Sequence, residues 1–260
     1  MRTKGLISFV LAWMVLAPVR LTAQPDATTL ADSIQREIVA AYVRGDDARL
    51  AAARALAERA VTIYPEDALL HHYLGFSLYR QAALMHDDPD QPRILDAAEA
   101  ALERSAAIRP LPETHALLAS VYGLRIGANP ALGASLGPRS SEERSIAERL
   151  GPENPRVWLL KGIGAFFTPE AFGGGLERAG EYLDRSLELF EDDDPERPLP
   201  RWGGAEARVW RGRVHEGRGQ VDRARSEYEA ALALEPEYVW VRGVLIPGLA
   251  SGDGDHDHDR

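Results

Sequence analysis

Few residues in this chain could do chemistry, and their spacing argues against most reactions. Gly133-Ala134-Ser135-Leu136-Gly137 has the G-x-S-x-G form that presents a serine nucleophile. That motif needs a sharp strand-to-helix turn above a parallel sheet. Its surroundings here read as an insertion between helices, so Ser135 is expected to serve a loop. His71 and His72 are adjacent. Neighbouring side chains on a helix diverge by about 100°, so these two cannot grip one metal ion. The run Asp255-His256-Asp257-His258-Asp259 offers weak ligands for zinc. It lacks an apolar anchor and reads as a solvated tail. No Gly-rich loop follows a strand, which leaves nucleotide binding without support. The sequence therefore predicts no catalytic, cofactor-binding or metal-binding set.

Composition narrows the remaining classes. The formal charge is −10, and the Arg residues are scattered among acids at helical spacing. Phosphate binding needs clustered basic residues, so a nucleic-acid partner is not expected. The chain has no Cys, which excludes disulfides, thiolate chemistry and a lipid-modified cysteine. Arg2 and Lys4 precede an apolar run over residues 6–17 that Pro18 interrupts. The run is too short to cross a bilayer comfortably and has the layout of a secretory leader. Leader removal after Ala23 is expected to leave a helical domain over residues 24–250, a disordered acidic, His-bearing tail over 251–260 and no membrane span.

The elements show a repeated ladder. Ala224, Tyr228, Ala231 and Pro236 follow each other at steps of four, three and five. A small–large–small stripe lets two helices approach closely while the large residue fills the gap, and Pro then ends the unit. Ala53, Ala57, Ala60 and Pro65 repeat the ladder, as do Ala98, Leu102, Ser105 and Pro110. Ser140, Arg144, Ala147 and Pro152 keep its spacing, and Ala179, Leu183 and Ser186 keep it without the Pro. Gly75, Gly162 and Gly212 sit inside the first helices of their units. Turn-rich insertions are expected at residues 86–92, 127–138, 168–175 and 192–204. Ser140 with Glu143 reads as a capping box, Asp47 as a cap after Gly45, and Thr168-Pro169 as a cap with Pro at the first helical residue. Residues 29–44 read as an amphipathic leading helix. Residues 238–249 read as an apolar end cap that folds back onto the stack or is covered by a partner.

These segments resemble tetratricopeptide repeats over about residues 35–236. Ser120 and His215 depart from the pattern where Gly and Tyr would stand. The resemblance implies an all-α, right-handed superhelical solenoid of antiparallel helix pairs, with four to five repeats and loop insertions. It also implies that first helices line the inner curve. On that frame the inner face carries His72, Phe76, Tyr79, Arg80, Leu117, Val121, Arg125, Leu159, Ile163 and Phe166. They form either an apolar groove for an extended or helical segment, with Arg for a carboxylate, or simply core. The stretch Thr168, Pro169, Glu170, Ala171, Phe172, Gly173, Gly174, Gly175 resembles a TPE-x-FGGG insertion of bacterial exported tetratricopeptide proteins of unassigned function. It is either a partner-contacting loop or a tight turn that tucks Phe172 onto the stack.

The function expected is a non-enzymatic scaffold or adaptor in the bacterial cell envelope, periplasmic or secreted, that binds a protein or peptide. A structural subunit of an envelope assembly or secretion complex is the alternative. An enzyme or small-ligand component would need polar groups converging from loops, which the sequence does not show. N-terminal sequencing of the exported protein is expected to begin at Gln24; a different first residue rejects the cleavage site.

Overall fold

The computed structural model describes residues 25–85 and 87–251. The expected leader and residues 252–260 of the tail lie outside the described residues. Five antiparallel helix pairs follow one another: α1 (Ala27–Arg44) with α2 (Asp47–Ile63), α3 (Ala68–Leu84) with α4 (Gln91–Ile108), α5 (Pro112–Ala128) with α6 (Gly133–Leu150), α7 (Pro155–Phe167) with α8 (Leu176–Phe190), and α9 (Gly204–Gly217) with α10 (Val221–Leu234). A π-helical turn (Val241–Leu245) and the short α11 (Ile246–Ser251) end the described chain. There is no strand among the described residues. Successive first helices pack side by side, α1 on α3, α3 on α5, α5 on α7 and α7 on α9, so the fold is a tetratricopeptide-like solenoid.

The ladders are the contact seams within the pairs. Ala53, Ala57, Ala60, Ala98, Leu102, Ser105, Ala147, Ala179, Leu183, Ser186, Ala224, Tyr228 and Ala231 are all buried. Three large rungs each sit against a glycine on the facing helix. A Cβ added at Gly75 would lie 2.5 Å from Leu102, at Gly162 2.7 Å from Leu183, and at Gly212 2.3 Å from Tyr228. The serine rungs also reach across: Ser105 Oγ donates to the Ala68 carbonyl at 2.8 Å and Ser186 Oγ to the Pro155 carbonyl at 2.8 Å. Each buried hydroxyl is satisfied by a carbonyl at the start of the facing helix while keeping the seam narrow.

Several helix starts differ from the sequence reading. Asp46, not Asp47, caps α2, accepting from Arg49 N at 2.9 Å. Residues 133–138 are helical, not loop: α6 starts at Gly133 and runs through Pro138. Ser140 is therefore mid-helix, where its Oγ donates to the Ala119 carbonyl at 3.0 Å, and Glu143 holds His115 Nδ1 at 2.6 Å. Ser135 lies in the first turn of α6 and donates to the Leu132 carbonyl at 3.0 Å, without the strand that a nucleophile turn requires. Thr168 ends α7 and does not start a helix; its Oγ1 donates back to the Gly164 carbonyl at 2.7 Å.

The curl brings the two ends of the stack together. Tyr42 of α1 meets Tyr238 edge-on at 6.0 Å and donates to Glu206 of α9 at 3.5 Å. Arg44 pairs with Glu237. Val43 joins Val209, Tyr228, Tyr238 and Val241 in one apolar cluster, so the terminal segment folds back onto the first pair. Gly212→Ala is expected to lower stability by about 1–3 kcal/mol, because the added methyl overpacks against the Tyr228 ring. Urea unfolding of the purified variant measures this, and an unchanged midpoint rejects the seam as a tight contact.

Candidate functional site

Of the two readings left for the inner face, groove or core, burial favours core. Of the ten side chains placed on that face, nine are buried: His72, Phe76, Tyr79, Arg80, Leu117, Val121, Leu159, Ile163 and Phe166. Arg125 alone is half-buried, held by Asp96 at 2.6 Å and Glu99 at 2.7 Å. The physical reason is a strap, residues 191–203, that leaves α8 and crosses the inner faces of α1, α3 and α7 before α9 begins. Burial of first-helix side chains by their neighbours accounts for the remainder.

The strap is gripped along its length. Arg156 at the start of α7 holds both oxygens of Asp193, at 3.1 and 2.5 Å. Arg197 reaches both oxygens of Asp32 at 3.0 Å. Tyr73 donates to the Pro198 carbonyl at 2.6 Å. The Gln35 amide is bonded twice to the backbone, donating to the Leu199 carbonyl at 3.3 Å and accepting from Arg201 N at 2.5 Å. Trp202, 3% exposed, stacks on Phe76 with ring centroids 4.6 Å apart. Beyond it Glu206 forms a bidentate pair with Arg80, whose guanidinium lies 4.1 Å from the Tyr42 ring centroid. Burial works against the charge on Arg80, but the Glu206 carboxylate outweighs it and holds the guanidinium fully charged. Sequence reasoning does not single out Gln35, Tyr73, Trp202 or Glu206. A tryptophan inside an acid-, Pro- and Gly-rich connection is the available signal, because a solvated linker does not need one.

The 168–175 insertion has the backbone of the tight-turn reading but not its tucked side chain. It is a tight turn: Gly175 N donates to the Ala165 and Thr168 carbonyls at 2.9 and 2.8 Å, and Gly174 N to the Pro169 carbonyl at 3.2 Å. Gly173 and Gly175 have φ of 84° and 95°, and a Cβ at Gly174 would lie 2.0 Å from the Thr168 oxygen. Glycine is required at these three positions. Phe172, however, is not tucked onto the stack. It is 82% exposed, and Phe167 just before the turn is 67% exposed. Phe167 packs edge-on against Trp210 of α9 at 5.4 Å, and Trp210 lies 6.0 Å from Trp240. Phe167, Trp210 and Trp240 thus make a row of rings across the last two pairs, with Phe172 displayed beside it in sequence on the glycine turn. Trp210 and Trp240 are half-buried.

His72 lies beneath the strap, with Nδ1 2.9 Å from Thr114 Oγ1 and its ring stacked beside Phe76. Burial above all, then Arg156 and Arg109, lowers its pKa from 6.5 to about 3. Below pH 6.5 the unfolded chain takes up a proton that the native chain refuses, so His72 costs stability as pH falls from 6.5 toward 3 and nothing above that window. Between pH 7 and 5 the wild type is expected to lose about 2 kcal/mol more than His72→Gln, at about 1.4 kcal/mol per unit once the unfolded histidine titrates. Urea unfolding at the two pH values checks it; equal losses reject the buried neutral imidazole.

No protein-family model and no curated protein matches the chain. Solved structures do. The haemophore HusA from Porphyromonas gingivalis is similar over 74% of this chain and 95% of its own, at 20% identity and a TM-score of 0.60. TTC0263, a thermophilic TPR protein from Thermus thermophilus, is similar over 85% of this chain and 99% of its own, also at 20% identity and a TM-score of 0.60. At that identity the likeness establishes the tetratricopeptide-like helical repeat fold of this chain.

Proposed function

We propose that the protein is a non-enzymatic binding scaffold of the bacterial cell envelope. It takes a protein partner on the aromatic row and the glycine turn, not in its inner curve. The observation that carries this is Phe172, a phenylalanine 82% exposed on a turn whose backbone is fixed by four hydrogen bonds from its three glycines. Large exposed aromatics on a rigid loop supply contact energy with little ordering cost on binding. Export rests on the charged, apolar N-terminal segment. No described helix is long and apolar enough to cross a membrane. Among the described residues no group of three or more His, Cys, Asp or Glu could hold a metal ion.

The haemophore likeness raises a second reading, because a row of Phe167, Trp210 and Trp240 is also a surface on which a flat ring stacks. Each of the four described imidazoles holds a bond through one ring nitrogen, His71 to Pro65, His72 to Thr114, His115 to Glu143 and His215 to Gln220, and none of these partners belongs to the row. A porphyrin on the row would be held by stacking.

A photo-reactive residue at position 172 is expected to cross-link one partner in native cells. The same residue at Ile63, exposed on α2, should not. Trp210→Ala should weaken the adduct from position 172 by about tenfold, as loss of an interface aromatic does. Identical adducts from 172 and 63 reject the site. An adduct abolished by added haemin, with haemin quenching the tryptophan fluorescence of the wild type and not of Trp210→Ala, favours the porphyrin.

A further inference from the structure

Where the two ends of the stack meet, a cleft of about 270 Å³ lies between α1, the strap and the segment that follows α10. Val39, Ala40, Val43 and Trp202 give it an apolar lining. Its charged residues fall into two groups of opposite balance.

One group is basic. Arg36 Nε lies 3.3 Å from Asp32, and Arg197 Nη1 donates to both oxygens of the same carboxylate at 3.0 Å. One carboxylate thus serves two guanidiniums. The Nη atoms of Arg36 and Nη2 of Arg197 make no hydrogen bond among the described residues. Arg201 adds a third cation, and the acid paired with it at 2.9 Å, Asp194, is itself 84% exposed. Guanidinium nitrogens without an acceptor, held close together, are what a carboxylate pairs with.

The other group is acidic and stands just over two turns further along α1. There Glu235 and Glu237 share a single base, Arg44, which pairs with Glu237. The Glu235 carboxylate is half-buried and has no ion-pair partner among the described residues. Burial raises its pKa; Arg44 opposes that rise and Glu237 adds to it. A carboxylate so placed gains from a cationic donor. Arg36 and Arg44 are eight residues apart, which on a helix separates their Cα atoms by about 12 Å. The two groups are therefore met by a molecule whose charges stand several bonds apart.

We infer that this cleft binds a small elongated zwitterion, with its carboxylate on Arg36 and Arg197, its ammonium on Glu235 and a short alkyl chain along Val39 and Ala40. Fixed charges of opposite sign at the two ends discriminate against a molecule carrying only one charge, because one end of the cleft is then left unmatched. The cleft is separate from the aromatic row, and loss of binding at Phe172 or Trp210 leaves the inference unaffected.

The test is a ligand-observed NMR titration of the full chain at neutral pH with three probes: 6-aminohexanoate, hexanoate and hexylamine. 6-Aminohexanoate is expected to bind with a Kd below about 1 mM. Hexanoate and hexylamine should each bind about tenfold more weakly, since each forfeits one charge-assisted contact. Arg36→Gln and Glu235→Gln should each weaken 6-aminohexanoate by about tenfold, whereas Glu235→Gln should leave hexanoate unchanged. A merely structural role for Glu235 would weaken all probes together. Circular dichroism verifies the fold of both variants, and the three probes on the wild type decide the matter should a variant fail to fold. No binding of 6-aminohexanoate up to about 10 mM, affinity equal to that of hexanoate, or unchanged affinity in both folded variants overturns the inference.

Discussion

The ion pair between Arg80 and Glu206 sets what the remainder of the chain has to do. Its members stand 126 residues apart, and their side chains are 5% and 6% exposed. Two charges out of water are tolerated only as a closely bonded pair, and loss of one partner leaves a stranded charge that costs about 3–5 kcal/mol. The pair therefore demands that the start of α9 face α3 within side-chain reach, across the curve and not merely next along it. Tyr42 adds a bond to the same carboxylate and presents its ring to the guanidinium. Burial of the phenol raises its pKa, so it remains a donor at every ordinary pH. Once α9 is fixed there, α10 and the terminal turn meet Val43 and Gly45, and the stack closes end to end.

Closure explains the seams as well as the strap. A solenoid whose ends meet has little freedom in the tilt between pairs, so each pair must be close and reproducible. Glycine facing a large rung provides that closeness at three of the five pairs, and serine or alanine supplies the narrow rungs on either side. The interior then becomes a confined space lined by Phe76, Arg80, Arg156 and His72. An empty space of that polarity would leave buried donors without acceptors. The strap supplies carboxylates and carbonyls to Arg156, Tyr73 and Gln35, and Trp202 provides the apolar bulk.

The ladders were legible because a period of residues identifies which side chains share a helix face. Ala98, Leu102 and Ser105 could be placed on one seam from spacing alone. Spacing does not reveal what a face meets. Phe76, Leu117 and Val121 share a face as expected, but burial on both sides comes from contacts remote in sequence, some with a connection that composition marked only as a loop. The helix starts failed for a local reason. Asp46 and Asp47 are both competent caps, and the tight turn at Gly45, with φ of 60°, selects the first. At α6 the sequence offers Pro138 as a breaker, yet the helix runs through it, at the cost of the bond to the Ala134 carbonyl and of crowding against it, with Leu136 and Ser140 buried on either side. The glycine turn was legible in its backbone and not in its side chain. Three consecutive Gly specify the close approach to Thr168, whereas nothing in the neighbouring residues decides whether Phe172 turns inward or outward.

That outward turn bears on how such a fold divides its surfaces. Burying a phenylalanine ring is worth about 1.5–3 kcal/mol, so a chain with a free choice would tuck Phe172 against α7 or α8. Here the backbone bonds of Gly174 and Gly175 fold the turn onto the end of α7, and the Phe172 ring stands outside it, 82% exposed. On the inner curve the balance runs the other way: Trp202 is drawn in, and every strong grip, from Arg156 to Gln35, is already engaged by the chain itself. The exterior is left with exposed aromatics, and the inner side chains are engaged by the strap. Ring surface is displayed on the outside at Phe167 and Phe172, whereas Trp210 and Trp240 are half-buried behind them in the fold.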